Sequence, residues 1–196
     1  MTVLEDRIEM AEESGELTLD VMFECLEKMP ILEGTKVEIV GGGNIFMSPQ
    51  RQHHWEIILD IVEQLRAKYP RKGLASDVRI DFPGHLNGFA CDVAAMADRS
   101  VKDGKGRWRY QDVEFVAEVI YKDTAANDYS PKKLTYALAE FPVYLIADPY
   151  QGRCHLFTEP KRGDYTVETK IVFGDPVDLA TTVVGLTLKT DEFPRD

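Results

Sequence analysis

Two stretches decide the fold: Phe89-Ala-Cys-Asp-Val-Ala-Ala-Met-Ala97 and Phe115-Val-Ala-Glu-Val-Ile-Tyr121. Each is almost continuously apolar, which suits a strand covered on both faces rather than one with a wet side. Each also carries one acid in its middle, Asp92 in the first and Glu118 in the second. An ionised carboxylate in such a strand loses its hydration and needs a partner, or it must take up a proton. Two of them on neighbouring strands would also repel. A divalent cation answers both problems, and Mg²⁺ in particular takes a few carboxylate oxygens and keeps water for a phosphate to replace. The alternative is structural: either acid sits at a strand end and pairs with an arginine or caps a helix.

Working outward, the segment after Glu118 holds Asp128, Lys132 and Tyr136 at intervals of four. Ser130 reads as the N-cap and Pro131 as the first residue of a helix over 131–140. Lys132 and Tyr136 then share one face. Lys132 and Lys133 would oppose the helix dipole in a first turn, which an anionic cluster opposite them would explain. The run Val143–Ala147 predicts a further buried strand, and Cys154–Thr158, Tyr165–Phe173 and Thr182–Leu188 predict three more.

Upstream, residues 76–82 predict a strand. Thr18 predicts an N-cap for a helix ending at about Lys28, before Met29-Pro30. Lys36–Met47 places two apolar runs around Gly41-Gly42-Gly43-Asn44 and predicts a β-hairpin. The glycines lack the spacing of a phosphate-binding loop. Ser48-Pro49 predicts the opening of a second helix, roughly 50–68, with Trp55, Ile58, Ile61, Val62 and Leu65 as its apolar stripe. The order predicts an α/β (α+β) chain with a central mixed sheet flanked by helices. Residues 1–17 read as an acidic tail and 18–196 as a single domain.

The 196 residues include 44% hydrophobic ones, enough to bury a core without disulfide or structural metal. Three cysteines, Cys25, Cys91 and Cys154, with no paired spacing argue against a disulfide framework or zinc site and for a reducing, cytoplasmic setting. The beginning of the chain does not read as a signal peptide, and no apolar run suffices for a membrane span. The net charge of −11 counts against tight nucleic-acid binding, although residues 1–40 carry −8 of it. Arg99, Lys102, Lys105, Arg107 and Arg109, interleaved with Trp108 and Tyr110, form a basic stretch that either touches a phosphate backbone or is a solvated loop.

At these residues the chain resembles the bacterial "putative restriction endonuclease" (Uma-type) family, a branch of the PD-(D/E)xK nuclease superfamily. The matching words are Glu38-Ile-Val-Gly-Gly-Gly, Met47-Ser-Pro, His54, Asp92-Val-Ala, Val116-Ala-Glu-Val, Asp128-x-x-x-Lys132-x-x-x-Tyr136 and Val143-Tyr-Leu-Ile-Ala-Asp-Pro149. The resemblance covers the chain from about residue 18 to residue 158. The resemblance implies a restriction-endonuclease-like fold. It implies Asp92, Glu118 and the backbone carbonyl of Ile120 as ligands of Mg²⁺ or Mn²⁺, with Lys132 as the third catalytic group. The superfamily lysine belongs at position 120, which here is isoleucine, and Lys132 takes its place; Lys122 is the weaker substitute. Glu38, His54, Asp128 and Tyr136 are expected as auxiliary residues, and the basic stretch Arg99–Arg109, on its charge and aromatics alone, as a DNA contact. Cys91 stands where the family has proline, and Tyr121 where it has serine.

The expected activity is metal-assisted phosphodiester hydrolysis on DNA, by a homodimer paired through Cys154–Thr158 and Tyr165–Phe173. A non-catalytic binding protein on the same scaffold, and a hydrolase of another phosphate ester, are the competing expectations.

Overall fold

In a computed structural model of the chain, the described residues are 17–30, 35–49 and 51–196. The chain divides into two compact units, Met1–Glu33 and Gly34–Asp196. The acidic tail expected at the N-terminus lies almost wholly outside the described residues. In the first unit α1 spans Leu19–Glu27, and Thr18 caps it by accepting from the Val21 amide at 3.3 Å.

The second unit opens with β1 (Thr35–Val40) and β2 (Asn44–Pro49), the predicted hairpin. Gly41, Gly42 and Gly43 all adopt positive φ, which glycine alone takes without strain, and so the two strands can turn back in register. Ser48 and Pro49 belong to β2 and do not open the following helix. α2 spans Gln52–Leu65. Its buried residues are Ile57, Ile58, Ile61 and Leu65; Trp55, assigned to the core stripe from the sequence, is 44% exposed, and Ile57 takes the inward place.

Next come β3 (Leu74–Ala75), β4 (Val78–Phe82), β5 (Asn87–Cys91), β6 (Val93–Met96) and β7 (Val113–Val119). The apolar stretch 89–97 is therefore not one strand. Its first part pairs in a four-stranded sheet ordered β2-β1-β5-β4. Its second part joins a six-stranded sheet that also contains β8 (Val143–Asp148), β9 (Arg153–Lys161) and β10 (Asp164–Val172), in the order β10-β9-β8-β7-β6-β3. Asp92 is the single residue between the two strands, where the chain crosses from one sheet to the other. β7 and β8 run parallel and the other pairs antiparallel, so the large sheet is mixed as expected.

Between β7 and β8 the chain is helical from Ala125 to Leu138, in three pieces. α3 (Ala125–Asn127) leads into a π turn, Asp128–Lys132, and then α4 (Lys133–Leu138). Pro131 thus lies inside the helical run and not at its first position, and Ser130 is no N-cap. Proline has no amide to donate and its ring crowds the carbonyl four residues back, and a widened turn accommodates both. Lys132 and Lys133 are accordingly not in the first turn of a helix, and the dipole argument for them does not hold. The strand expected over Thr182–Leu188 is reduced to β12 (Thr187–Leu188), which pairs with β11 (Val177–Asp178).

The six-stranded sheet buries both faces, which explains the continuous apolar runs. On one face Phe115, Ala117 and Val119 of β7 and Val143, Leu145 and Ala147 of β8 pack with the inner side of α2. On the other, Val116, Ile120, Tyr144 and Ile146 pack with Phe82, Phe89, Tyr136 and Phe141. Glu118 alternates with Val116 and Ile120, so strand geometry turns it to this second face, against β1, β5 and the segment after the π turn. Among the described residues no helix is long and apolar enough to cross a membrane.

Candidate active site

Five parts of the chain bring charged side chains to one cleft: β1 supplies Lys36 and Glu38, α2 supplies His54, the sheet crossing supplies Asp92, β7 supplies Glu118, and the π turn supplies Asp128 and Lys132. All seven line it, together with Ser48, Val119, Tyr121 and Thr124. The open room inside is about 20 Å³, enough for one water or one bare ion.

Asp92 and Glu118 hold each other in place through the backbone. The Val119 amide donates to Asp92 Oδ2 at 2.7 Å, and the Asp92 amide donates to Glu118 Oε2 at 3.3 Å. Asp92 can offer its amide because it lies between two ladders and within neither. Asp92 is also 3.2 Å from His54 Nε2 and 2.7 Å from Lys36 Nζ. Burial alone would raise its pKa, but Lys36 and His54 outweigh burial and hold it well below the usual carboxylate range. Glu118 accepts from the Tyr136 hydroxyl at 2.6 Å, from Lys132 Nζ at 3.0 Å and from Lys36 Nζ at 3.4 Å. Burial is the larger influence here and, with Asp92 beside it, pushes Glu118 up to about 7 against the pull of the two lysines.

Lys132 is 2% exposed and sits among three carboxylates: Glu38 Oε2 at 2.9 Å, Glu118 Oε1 at 3.0 Å and Asp128 Oδ1 at 3.0 Å. Two of these contacts are hydrogen bonds, to Glu118 and Asp128, and the Glu38 contact is an ion pair. Burial works against the charge, yet the three acids keep the Lys132 pKa well above the ordinary lysine value. Glu38 also accepts from the Ala90 amide at 3.1 Å, tying β1 to β5. Burial raises Asp128, and its backbone carbonyl accepts from the Tyr144 hydroxyl at 3.0 Å.

His54 points Nε2 between the Val119 carbonyl, at 2.9 Å, and Asp92. Burial lowers its pKa, but Asp92 more than compensates and the net shift is upward. The Val119 carbonyl thus lies in the cleft against His54, while Ile120, whose carbonyl the resemblance implies as a ligand, is not among the lining residues. Ile120 packs in the apolar core, and its amide donates to the Ala147 carbonyl at 2.9 Å. Tyr136 is buried and combines packing with its bond to Glu118. Its oxygen is also 3.3 Å from Cys91 Sγ; burial raises the Cys91 thiol far above its usual value, which removes it as a nucleophile.

The basic stretch does not reach this cleft: none of Arg99, Lys102, Lys105, Arg107, Trp108 and Arg109 lines it. Arg107 pairs with Asp81 at 3.1 Å and Asp103 at 3.4 Å, and Trp108 packs on the core with Lys102 Nζ 4.9 Å from its ring centre. The stretch is a folded loop with an anchored tryptophan.

Lys36 is the residue that sequence reading missed. It has Asp92, Glu118 at 3.4 Å, Glu38 at 3.6 Å and Asp77 at 4.0 Å around its nitrogen. Burial opposes its charge, and Asp92, Glu118 and Glu38 together hold its pKa well above the ordinary lysine value. The signal was available: Lys36 and Glu38 are two apart on a strand, so they share a face.

The converging carboxylates offer oxygen donors, the chemistry of a hard cation such as Mg²⁺ or Mn²⁺, with His54 Nε2 as a nitrogen beside them. Asp92 Oδ1 and Glu118 Oε2 already converge on one cation, the Lys36 ammonium. Among the described residues, no three His, Cys, Asp or Glu side chains are grouped as a ready metal cage.

The family model for putative restriction endonucleases, Uma2, matches residues 23–191. A crystal structure of a putative nuclease belonging to DUF820 from Anabaena variabilis ATCC 29413 is similar with a TM-score of 0.66 and 14% identity, covering 91% of this chain and 97% of that one. No curated protein matches. With its mixed sheet, its crossing strand and a family match over most of its length, the chain belongs to the putative restriction endonuclease family.

Proposed function

We propose that the chain is a divalent-metal-dependent nuclease that hydrolyses phosphodiester bonds in DNA, with Asp92, Glu118 and the Val119 carbonyl as the metal-holding oxygens. One observation carries this reading: Glu38, Asp92, Glu118 and Asp128 set four carboxylates against the two ammoniums of Lys36 and Lys132 in one buried cleft. The acids outnumber the lysines, and an excess of buried carboxylate favours a further cation. Family membership supports the nuclease class, and the carboxylate-rich lining supports Mg²⁺ or Mn²⁺.

Such an ion, when bound, polarises a phosphate and acidifies a water. The chain's own residues do the positioning. Val119 and His54 fix the Asp92 carboxylate, and Tyr136 and Lys132 fix that of Glu118, so both oxygens stay oriented without rearranging. Lys132, buried among three carboxylates, supports them and does not reach out to a substrate. The room of about 20 Å³ admits an ion or water and no nucleotide, so a phosphate presents itself at the mouth. Pairing of two copies through the edge strand β10 would supply two sites for two DNA strands. The free thiols Cys25, Cys91 and Cys154 suit a reducing cytoplasm.

The test is cleavage of supercoiled plasmid with Mg²⁺ or Mn²⁺ by the native protein, Asp92→Asn and Glu118→Gln. Cleavage by the native protein alone is expected; equal cleavage by all three rejects the assignment. The closure of both lysines onto carboxylates favours a second reading, a non-catalytic binding scaffold, which predicts neither cleavage nor carboxylate-dependent Mn²⁺ binding.

A further inference from the structure

Lys36 stands where the proposed ion belongs. Its nitrogen is 2.7 Å from Asp92 Oδ1 and 3.4 Å from Glu118 Oε2, the same two acids assigned to the metal. The cleft has room for one water-sized occupant beside the side chains. An ammonium and a dication cannot share the gap between two carboxylates, since at a few ångströms they repel strongly.

The grip on the two lysines differs. Lys132 has three carboxylate contacts, all at 2.9–3.0 Å. Lys36 has one short contact, and its others are 3.4, 3.6 and 4.0 Å. Its charge rides on a flexible four-carbon stem. The carboxylates do not depend on it for their orientation. Asp92 retains Val119 and His54, and Glu118 retains Tyr136 and Lys132, if Lys36 withdraws.

We propose that Lys36 is a tethered occupant of the divalent-cation position, so that metal binding is an exchange in which Lys36 leaves the gap between Asp92 and Glu118. This rests on the metal reading above and adds to it: the chain carries its own competitor for the ion. The competitor weakens the apparent affinity by the fraction of molecules in which Lys36 is seated.

The experiment is isothermal titration of the full chain with MnCl₂, comparing the native protein with Lys36→Met, and with Lys36→Met carrying Asp92→Asn as the control. Lys36→Met is expected to bind Mn²⁺ roughly 5- to 150-fold more tightly than the native protein, the usual span for coupled sites. The Asp92→Asn control is expected to lose that gain. Native binding with equal or weaker binding by Lys36→Met overturns the inference and leaves the metal reading standing. No binding by either protein overturns both.

A nearby cation that never moved would also weaken metal binding, so displacement is measured directly in the native protein. In crystals grown with Mn²⁺, the anomalous peak is expected between Asp92 and Glu118 with the Lys36 nitrogen out of contact with both. Mn²⁺ bound with Lys36 still bridging the two acids refutes the exchange. This second measurement decides the matter alone should Lys36→Met fail to fold.

Discussion

Replacing Lys132 by methionine keeps the length of the side chain and removes its charge from the centre of the cluster. The structure puts three carboxylates within 3.0 Å of that nitrogen, at 2.9, 3.0 and 3.0 Å, and leaves the residue 2% exposed. Removing one member of a buried charge group strands the others, at about 3–5 kcal/mol. For a domain of this size each kcal/mol moves Tm by about 2–4 °C, so the expected drop is roughly 6–20 °C. The neighbouring Lys133 is an internal control. It pairs with Asp164 at 2.8 Å, but the Asp164 side chain is 71% exposed, and such pairs contribute about 0–1 kcal/mol. Lys133→Met is therefore expected within about 1 kcal/mol of native. The pH dependence has a definite sign. Lys132 has a folded pKa above its unfolded one, so its contribution is complete below the ordinary lysine value and is lost only as pH rises through the folded value. The native protein shows no loss from this residue near neutrality, while in Lys132→Met the stranded acids take up protons on acidification and the deficit narrows. The assay is urea unfolding followed by circular dichroism at pH 6 and pH 8. A Lys132→Met protein as stable as Lys133→Met at pH 8 would show that the three acids do not rely on this lysine.

Mn²⁺ affinity is expected to rise with pH until it levels above about 7, because Glu118 must shed a proton before it can hold an ion. Titrations in buffers of different ionisation enthalpy measure the proton released, and affinity unchanged between pH 6 and 8 contradicts the assignment. Ellman's reagent is expected to find one fast thiol in the native protein, the exposed Cys25, and three after unfolding; fast reaction of Cys91 or Cys154 would mean that the core opens readily. Gly42→Ala is expected to cost about 1–2 kcal/mol through its positive φ of 88° alone, since an added Cβ would meet His85 only at 3.5 Å. Urea midpoints check this, and a neutral result would mean that the turn changes shape without strain.

Much of the fold was legible because its strongest signals are local. Three glycines between two apolar runs make a hairpin whatever surrounds them, and the apolar strands around Glu118 and Leu145 could be covered only on both sides. The failures came where tertiary contacts set the geometry. Nothing in Phe89–Ala97 marks a change of sheet: there is no interior glycine or proline, and burial on both sides hides the break at Asp92. Ser130-Pro131 carries a strong helix-start signal, yet the helical run begins at Ala125, because Asp128 and Lys132 are both drawn into the cleft and the π turn lets the chain keep proline between them. Trp55 shares the helical stripe of Ile58 and Leu65 but is the outlying member, with space inside only for Ile57. Asp92 and Glu118 stood out as acids in apolar runs. Lys36 did not, because a lysine near the start of a strand is ordinarily a surface residue.

The sheet crossing explains why the two acids can face one ion at all. Within an unbroken strand Asp92 would spend its amide on a ladder bond, and its carboxylate would have only side chains to hold it. At the crossing the amide is released from both ladders and turns to Glu118, while the Val119 amide at the end of β7 turns to Asp92. Each carboxylate is thus held by the other strand's backbone, which is stiffer than any side chain and carries no net charge. Backbone donors of this kind orient two like charges without neutralising them. The neutralisation is left to cations, and of the two available Lys132 meets three acids at 2.9–3.0 Å whereas Lys36 has one contact that short and three longer ones. A site that needed only to be stable would gain by gripping both. This one orients its acids through the backbone and leaves the cation between them loosely held, the arrangement expected where that cation is to be exchanged.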